Sequence, residues 1–303
     1  MIGFTRVLCP IDFSETSTRA LVHAAALAGW YEAQLHVLHV VPVLRRAGSE
    51  DHGPAADDCR TSPRPTREEA LAEVSRAVDA VSSRAPHVSA IAEEGREHEV
   101  VVTVAQALPA DLLVMGTHGR SGFHRLFLGS ITEKVIRTAP CPVLTVPPAA
   151  APASTPEVAF KRILCPIDFS PSSLRALEYA LELARQANGR VTMLNVLEYM
   201  EPEDPCEHVD LAIRTSRQSF IDRAREHLRE LASVESTTWC DLEGTVLADH
   251  RAYNAVLRTA ASAGADLIVM GAQGTAGVEL TLYGSNTHHV VRAAHCPVLT
   301  VRA

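Results

Sequence analysis

Two tandem doubly wound α/β domains, each a five-stranded parallel sheet with helices on both faces, are what this sequence predicts. Three observations carry the prediction. The first is an internal repeat. RVLCPIDFS (Arg6–Ser14) returns as RILCPIDFS (Arg162–Ser170), offset by 156 residues, and ADLLVMG (Ala110–Gly116) returns as ADLIVMG (Ala265–Gly271), offset by 155. In a chain of 303 residues, so long a period means duplicated domains of about 150 residues rather than a solenoid. The second is the alternation of helical patterns with short strands that are apolar throughout, the mark of a parallel sheet covered on both faces. The third is a glycine-bearing loop after an apolar strand in each half, at the sheet edge where doubly wound folds bind ligands.

In the first half, Arg6–Ile11 reads as a strand and Ser17–Tyr31 as an Ala-rich helix, with Ser14 a plausible N-cap. QLHVLHVV (Gln34–Val41) is the second strand. Thr66–Arg84 is a helix whose early acids suit its amino end. A strand near His87–Ala92, a helix near Glu99–Leu108, the strand Leu112–Met115, a helix from Ser130 and the strand Val143–Val146 complete the unit. The second half places strands at Arg162–Ile167, Val191–Val196, about Thr237–Leu242, Leu267–Met270 and Val298–Val301. CPVLTV closes both halves, and PPAAAPASTPEV (Pro147–Val158) between them has the Pro, Ala and Ser content of a semi-extended linker. The expected division is residues 1–147, a linker at 148–159, and residues 160–303.

Composition excludes several functions. A formal net charge of −8 disfavours nucleic acid and acidic membranes as partners, and 5% aromatics offer little for stacking bases. The start, MIGFTRVLCPIDFS, lacks the pattern of a signal peptide, and no apolar run approaches a membrane span. Seven cysteines with no CxxC pair point to a reducing cytoplasm. Cys9, Cys141, Cys165 and Cys296 recur by duplication and read as packing residues, whereas Cys59, Cys206 and Cys240 do not recur. No metal site is expected. HExxH is absent, the neighbours His288 and His289 point about 100° apart on a helix, and CEH (Cys206–His208) falls in an acidic loop. Leu44–Pro65 is polar and rich in breakers, and reads as a solvated insertion.

The chemistry concentrates in VMGTHGRSGFHRLFLGS (Val114–Ser130). Gly116 ends a strand, and glycine there permits positive φ and close approach of a ligand. Gly129 and Ser130 precede ITEKVIRT, a helix whose free N–H groups make an anion site. Ser130 can cap that helix or donate to a phosphate oxygen. Arg120, turned inward, can pair with terminal phosphates. Pro10, Ile11 and Asp12 face the same edge, where an acid can hold a ribose hydroxyl or help orient a metal. The end of the second strand, His39–Val41, would form a wall against a base. This is neither a Walker A loop nor GxGxxG. The same glycines can also serve only as a tight strand-to-helix connection.

The pattern G-x2-G-x9-G-[ST], after D-L-[LI]-V-M and before C-P-V-L-T-V, resembles the nucleotide-binding subgroup of the universal stress protein family. It does so twice, at Gly116, Gly119, Gly129, Ser130 and at Gly271, Gly274, Gly284, Ser285. The resemblance covers nearly all of the chain apart from the linker and the loops after each second strand. It implies a Rossmann-like fold, ATP as ligand, sometimes with Mg2+ or Mn2+, slow hydrolysis or none, and a role in stress adaptation and signalling. By matched position it assigns Pro10, Ile11, Asp12 and the Val40 backbone to adenosine. Gly116, His118, Gly119, Gly129, Ser130, Ile131 and Thr132 fall to phosphates and ribose. In the second half the matches are Pro166, Ile167, Asp168, Val196, Gly271, Gly274, Gly284, Ser285, Asn286 and Thr287. It also makes the last strand of each unit a pairing edge, so that the halves are expected to pack face to face as an internal pseudo-dimer; a homodimer is also conceivable.

The halves differ where it matters. His118 and Arg120 give way to Gln273 and Thr275, and His124 and Arg125 to Glu279 and Leu280. Helix N–H groups survive these changes and side-chain charge does not, so the first half is expected to be the stronger ATP site. The G-x-P that the family often shows before its third helix is missing, with GREHE (Gly95–Glu99) and HRAYN (His250–Asn254) in its place. No dedicated acid–base pair accompanies Asp12 or Asp168, so at most slow ATP hydrolysis is expected. The competing reading is a scaffold that binds an unidentified protein partner and no nucleotide.

Overall fold

The computed structural model describes residues 2–43, 66–119, 128–148, 150, 158, 160–199, 207–235, 241–273 and 284–302. Arg120, His124, Arg125, Gly274, the 44–65 insertion, Cys59, Cys206 and Cys240 lie outside the described residues.

The first half runs β1 (Arg6–Pro10), α1 (Glu15–Trp30), β2 (Gln34–Pro42), α2 (Arg67–Asp79), β3 (His87–Gly95), α3 (Glu97–Ala107), β4 (Leu112–Gly116), α4 (Ser130–Thr138) and β5 (Val143–Val146). The second runs β6 (Arg162–Pro166), α5 (Pro171–Ala187), β7 (Arg190–Glu198), α6 (Glu207–Glu235), β8 (Asp241–Asp249), α7 (Ala252–Ser262), β9 (Leu267–Gly271), α8 (Ser285–Ala293) and β10 (Val298–Val301).

Local signals explain the boundaries. Ser14 and Ser170 cap α1 and α5 by accepting from the N–H groups of Ser17 and Ser173. Thr66 and Glu69 form a reciprocal capping box at the start of α2. Three expectations shift. α2 ends at Asp79 rather than Arg84, with Ala80 as its C-cap. β8 runs on to Asp249, well past the expected end at Leu242, because it pairs along its described length with β7, from Arg190↔Asp241 to Glu198↔Asp249; Thr237–Cys240 lie outside the described residues. Its acids and Gly244 break the apolar run by which a buried strand is recognised; Gly244 leaves room for Leu228 of α6, whose Cβ lies 3.0 Å from where a glycine-to-alanine Cβ would stand. Glu207 and His208 open the helix α6 rather than lying in a loop.

The strands form one ten-stranded sheet in the order β3-β2-β1-β4-β5-β10-β9-β6-β7-β8. Every neighbouring pair is parallel except β5 and β10, which meet antiparallel with Val298↔Thr145, Leu299↔Leu144 and Thr300↔Val143 opposed. The halves therefore form an internal pseudo-dimer, but edge to edge rather than face to face. Joining the two end strands satisfies backbone groups that an open edge would expose. Two threonine hydroxyls reinforce the seam, Thr145 Oγ1 donating to the Val298 carbonyl at 3.1 Å and Thr300 Oγ1 to that of Val143 at 3.2 Å. Each face of the sheet carries one apolar core that runs through both halves, and Leu144 and Leu299 belong to the same one.

Ring contacts hold the halves together on the α1 and α5 face. Phe4 stacks on Tyr179 and, at the position 156 residues later, Phe160 stacks on His23, at centroid distances of 6.0 and 6.4 Å. Burial drives the His23 ring to the neutral form, lowering its pKa, while its Nδ1 bonds the Arg19 carbonyl at 2.9 Å. The folded chain resists a proton that the unfolded chain accepts near pH 6.5, so stability is expected to fall as pH drops through that value. One such histidine contributes a slope of up to about 1.4 kcal/mol per pH unit. His36, His118 and His288 are lowered by burial in the same sense. Urea unfolding between pH 7.5 and 5 is expected to show a shallower decline in His23→Phe than in the parent chain; an unchanged slope would remove His23 from the explanation.

The repeated thiols are packing groups. Cys9 and Cys165 are fully buried, with thiols pushed upward by burial, and burial pushes Cys141 and Cys296 up to about 12. Among the described residues no helix is long and apolar enough to cross a membrane.

Candidate nucleotide-binding site

The carboxyl ends of β1, β2 and β4, and of β6, β7 and β9, converge on the starts of α4 and α8. Asp12 and Asp168 sit in matching turns. Asp12 Oδ1 accepts from the Ser14 N–H at 3.0 Å, and Asp168 Oδ1 accepts from the Ser170 N–H at 3.1 Å and the Ser170 hydroxyl at 2.6 Å. The next residue, Phe13 or Phe169, has φ of 63° in each half. That is left-handed backbone, costly for a residue with a side chain and typical of functional sites. It turns the chain sharply from the strand to the serine cap and keeps the aspartate at the sheet edge.

A second matching pair escaped the sequence reading. His39 Nδ1 bonds the Ile11 carbonyl at 2.8 Å, and 156 residues later Asn195 Nδ2 donates to the Ile167 carbonyl at 2.8 Å. Each ties the later half of its second strand to the residue before the aspartate. His and Asn share no sequence class, so only their register could have signalled a common task. The aspartate of the repeated ADL[LI]VMG motif is also structural. Asp111 accepts from the N–H groups of Thr5 and Arg6, and Asp266 from those of Lys161 and Arg162, at the opposite edge from the site.

The glycines act through crowding rather than positive φ, since among the described residues only Gly95 and Gly264 are glycines with positive φ. A Cβ on Gly116 would stand 2.9 Å from Thr16 Cγ2 and 3.1 Å from the Thr16 carbonyl carbon. On Gly119 it would meet Asp12 Oδ2 at 2.8 Å, and on Gly129 the Thr117 carbonyl at 3.1 Å. Gly271 is as tightly held, against Ser172 and Ser173. The described ends of the loop are held together by hydrogen bonds repeated in both halves. The N–H of Gly129 donates to Thr117 O at 2.8 Å and that of Gly284 to Ala272 O at 2.9 Å. Thr132 Oγ1 donates to Gly116 O and Thr287 Oγ1 to Gly271 O, each at 2.9 Å.

Gly129 and Gly284, not the serines, are the N-caps of α4 and α8, and neither helix start has a side-chain cap. Ser130 and Ser285 are the first helical residues, one position past the cap. The first-turn N–H groups are thus left without a side-chain cap, and Ser285 lines the hollow of the second half. Ile131 is 37% exposed beside Ser130. His118 Nδ1 bonds Thr117 Oγ1 at 2.8 Å, and its buried Nε2 has no hydrogen-bond partner among the described residues.

In the second half these positions enclose a cavity of about 490 Å3. Pro166, Ile167, Asp168, Val196, Gly271, Gly284, Ser285, Asn286 and Thr287 all line it, so the structure brings together every described residue that the sequence assigned to this half. Its volume falls within the ~300–1,000 Å3 usual for small-molecule sites. An apolar side, from Leu194, Val196, Val256 and Met270, faces a polar one at the start of α8. That division suits a flat apolar ring joined to an anionic tail. In the first half Pro10, Val40, Gly116 and Thr132 take the corresponding places on β1, β2, β4 and α4, while Ile11 and Asp12 follow β1, Gly119 follows β4 and Gly129 caps α4.

Comparison with known proteins agrees with this architecture. The family model "Universal stress protein family" matches residues 3–147 and 159–302. A universal stress protein of Methanocaldococcus jannaschii is 32% identical over 143 residues, covering 47% of this chain and 82% of the relative. One of Thermus aquaticus is 35% identical over 150 residues, covering 47% and 98%. The crystal structure of a universal stress protein from Archaeoglobus fulgidus superimposes with a TM-score of 0.66 at 22% identity, covering 98% of this chain and 96% of that one.

Proposed function

The chain belongs to the universal stress protein family, carrying two of its domains in tandem, and from that premise we propose that it binds adenine nucleotide, ATP foremost, at the carboxyl edge of its sheet. The observation that carries the proposal is the second-half cavity, bounded by the ends of three strands and an uncapped helix start. Adenosine lies against Pro166–Asp168 and Val196, with the phosphates at the N–H groups and hydroxyls of Gly284–Thr287. The first half binds through Pro10–Asp12, Val40, Gly116–Gly119 and Gly129–Thr132. It is the stronger site, because Arg120 adds a side-chain charge that the matching Thr275 lacks, and His118 offers a ring nitrogen where the second half has Gln273. Mg2+ usually takes one or two carboxylates together with phosphate oxygens, a set that Asp12 and Asp168 suit. The protein acts as a nucleotide-responsive stress-adaptation component rather than an efficient catalyst.

Isothermal titration of the intact chain with ATP tests this reading. Two sites of unequal affinity are expected. A hydrogen bond to a charged group contributes about 1.5–3 kcal/mol, so Asp12→Ala is expected to weaken the tighter site about tenfold or more. Asp168→Ala is expected to weaken the other. Equal affinities would overturn the ranking of the halves, and no binding by the parent chain would overturn the nucleotide reading itself.

A further inference from the structure

The cavity of the second half is not built from the second half alone. Glu133 and Arg137, both on α4 of the first half, line it. We infer that Arg137 is a phosphate-binding residue of the second-half site, supplied across the pseudo-twofold seam to a loop with no cation of its own. The inference rests on the nucleotide reading above and extends it to a residue outside the glycine motif.

Charge provides the first argument. Residues 272–284, from Ala272 to Gly284, contain no Arg, Lys or His. Among the described residues that line the cavity, Arg137 is the one arginine or lysine. A site whose own loop carries no basic side chain, and whose other basic lining residues are the histidines His288 and His289, therefore has this guanidinium as its permanent positive charge.

Geometry provides the second. Arg137 Nη2 bonds Glu133 Oε1 at 2.8 Å, and the same oxygen lies 3.9 Å from His288 Nε2. His288 is in the first turn of α8, beside the N–H groups of Ser285 and Asn286. The guanidinium is thus tethered at the anionic end of the cavity rather than along its apolar side. Glu133 orients it in the manner of an i,i+4 pair, while the planar fork keeps further N–H donors for a ligand. Arg137 is also relieved of a competing task. A basic residue in the last turn commonly serves the helix's terminal carbonyls, but on α4 Arg302 of the second half takes them, bonding Ile136 O at 2.9 Å, Ala139 O at 3.3 Å and Arg137 O.

The test is photolabelling of the intact chain with 8-azido-ATP and, separately, 8-azidoadenosine, with labelled peptides assigned to each half by mass spectrometry. Arg137→Gln is expected to need about tenfold more 8-azido-ATP to label second-half peptides. Labelling of that half by 8-azidoadenosine, which has no phosphate, is expected to stay as in the parent. Arg137→Lys, which keeps the charge but not the fork, is expected to fall between. Second-half labelling by 8-azido-ATP that is unchanged in Arg137→Gln would overturn the inference and leave nucleotide binding standing. Equal loss with both probes would assign Arg137 a structural role and overturn it as well. A parent chain labelled in neither half would overturn the nucleotide reading and this inference together.

Discussion

Leu144→Ala is expected to lower the unfolding free energy by about 2–5 kcal/mol, the usual cost of emptying a buried leucine site. Leu144 is 1% exposed, lies opposite the equally buried Leu299 in the β5–β10 seam, and belongs to a core that spans both halves. β5 and β10 are only four residues each, so few other contacts can close the cavity. Because the sheet is continuous there, destabilisation should reach both halves. Hydrogen exchange read peptide by peptide is expected to rise in β1 and β6 alike. Urea unfolding followed by circular dichroism gives the free energy. A loss below about 1 kcal/mol would mean that the seam is not a packed core. Ile131→Ala, at an exposed helix start, is expected to change stability by no more than about 0.5 kcal/mol.

Gly271→Val should both destabilise the chain and damage the second site. A Cβ there would lie 2.7 Å from Ser172 Oγ, 2.9 Å from the Ser172 carbonyl carbon and 2.9 Å from the Ser173 N. Two of those atoms are backbone in the first turn of α5, so a change of side-chain rotamer cannot relieve the clash. Overpacking of this kind costs about 1–3 kcal/mol. The strand end must then move, carrying with it the Gly271 carbonyl that receives Thr287 Oγ1 at the start of α8. ATP titration is expected to lose the second-half site while the first remains. Gly3→Val is the control, since nothing lies within 4 Å of its Cβ position. Equal stability of the two variants would refute the crowding explanation of the motif glycines.

Much of this was legible in the sequence because duplication states each signal twice. CPIDFS and ADL[LI]VMG located β1, β4, β6 and β9, and the glycine spacing located the starts of α4 and α8. What stayed hidden depends on through-space geometry. Nothing local distinguishes β5 as half of an antiparallel seam rather than the edge of a separate sheet. The glycines could be credited with positive φ until the first turns of α1 and α5 were seen pressed against Gly116 and Gly271. His39 and Asn195 perform one task with unlike side chains, which residue type conceals. Arg137 reads as an ordinary last-turn arginine until the seam sets it in the other half's cavity.

The most direct measurement is a crystal structure of the intact chain soaked in millimolar Mg-ATP. The expected result is nucleotide with its phosphates on the main-chain amides of Gly284–Thr287, or of Gly129–Thr132, and its base toward Pro166–Asp168 or Pro10–Asp12. Side chains filling the hollow in both halves, with nucleotide present in the crystal solution, would contradict it.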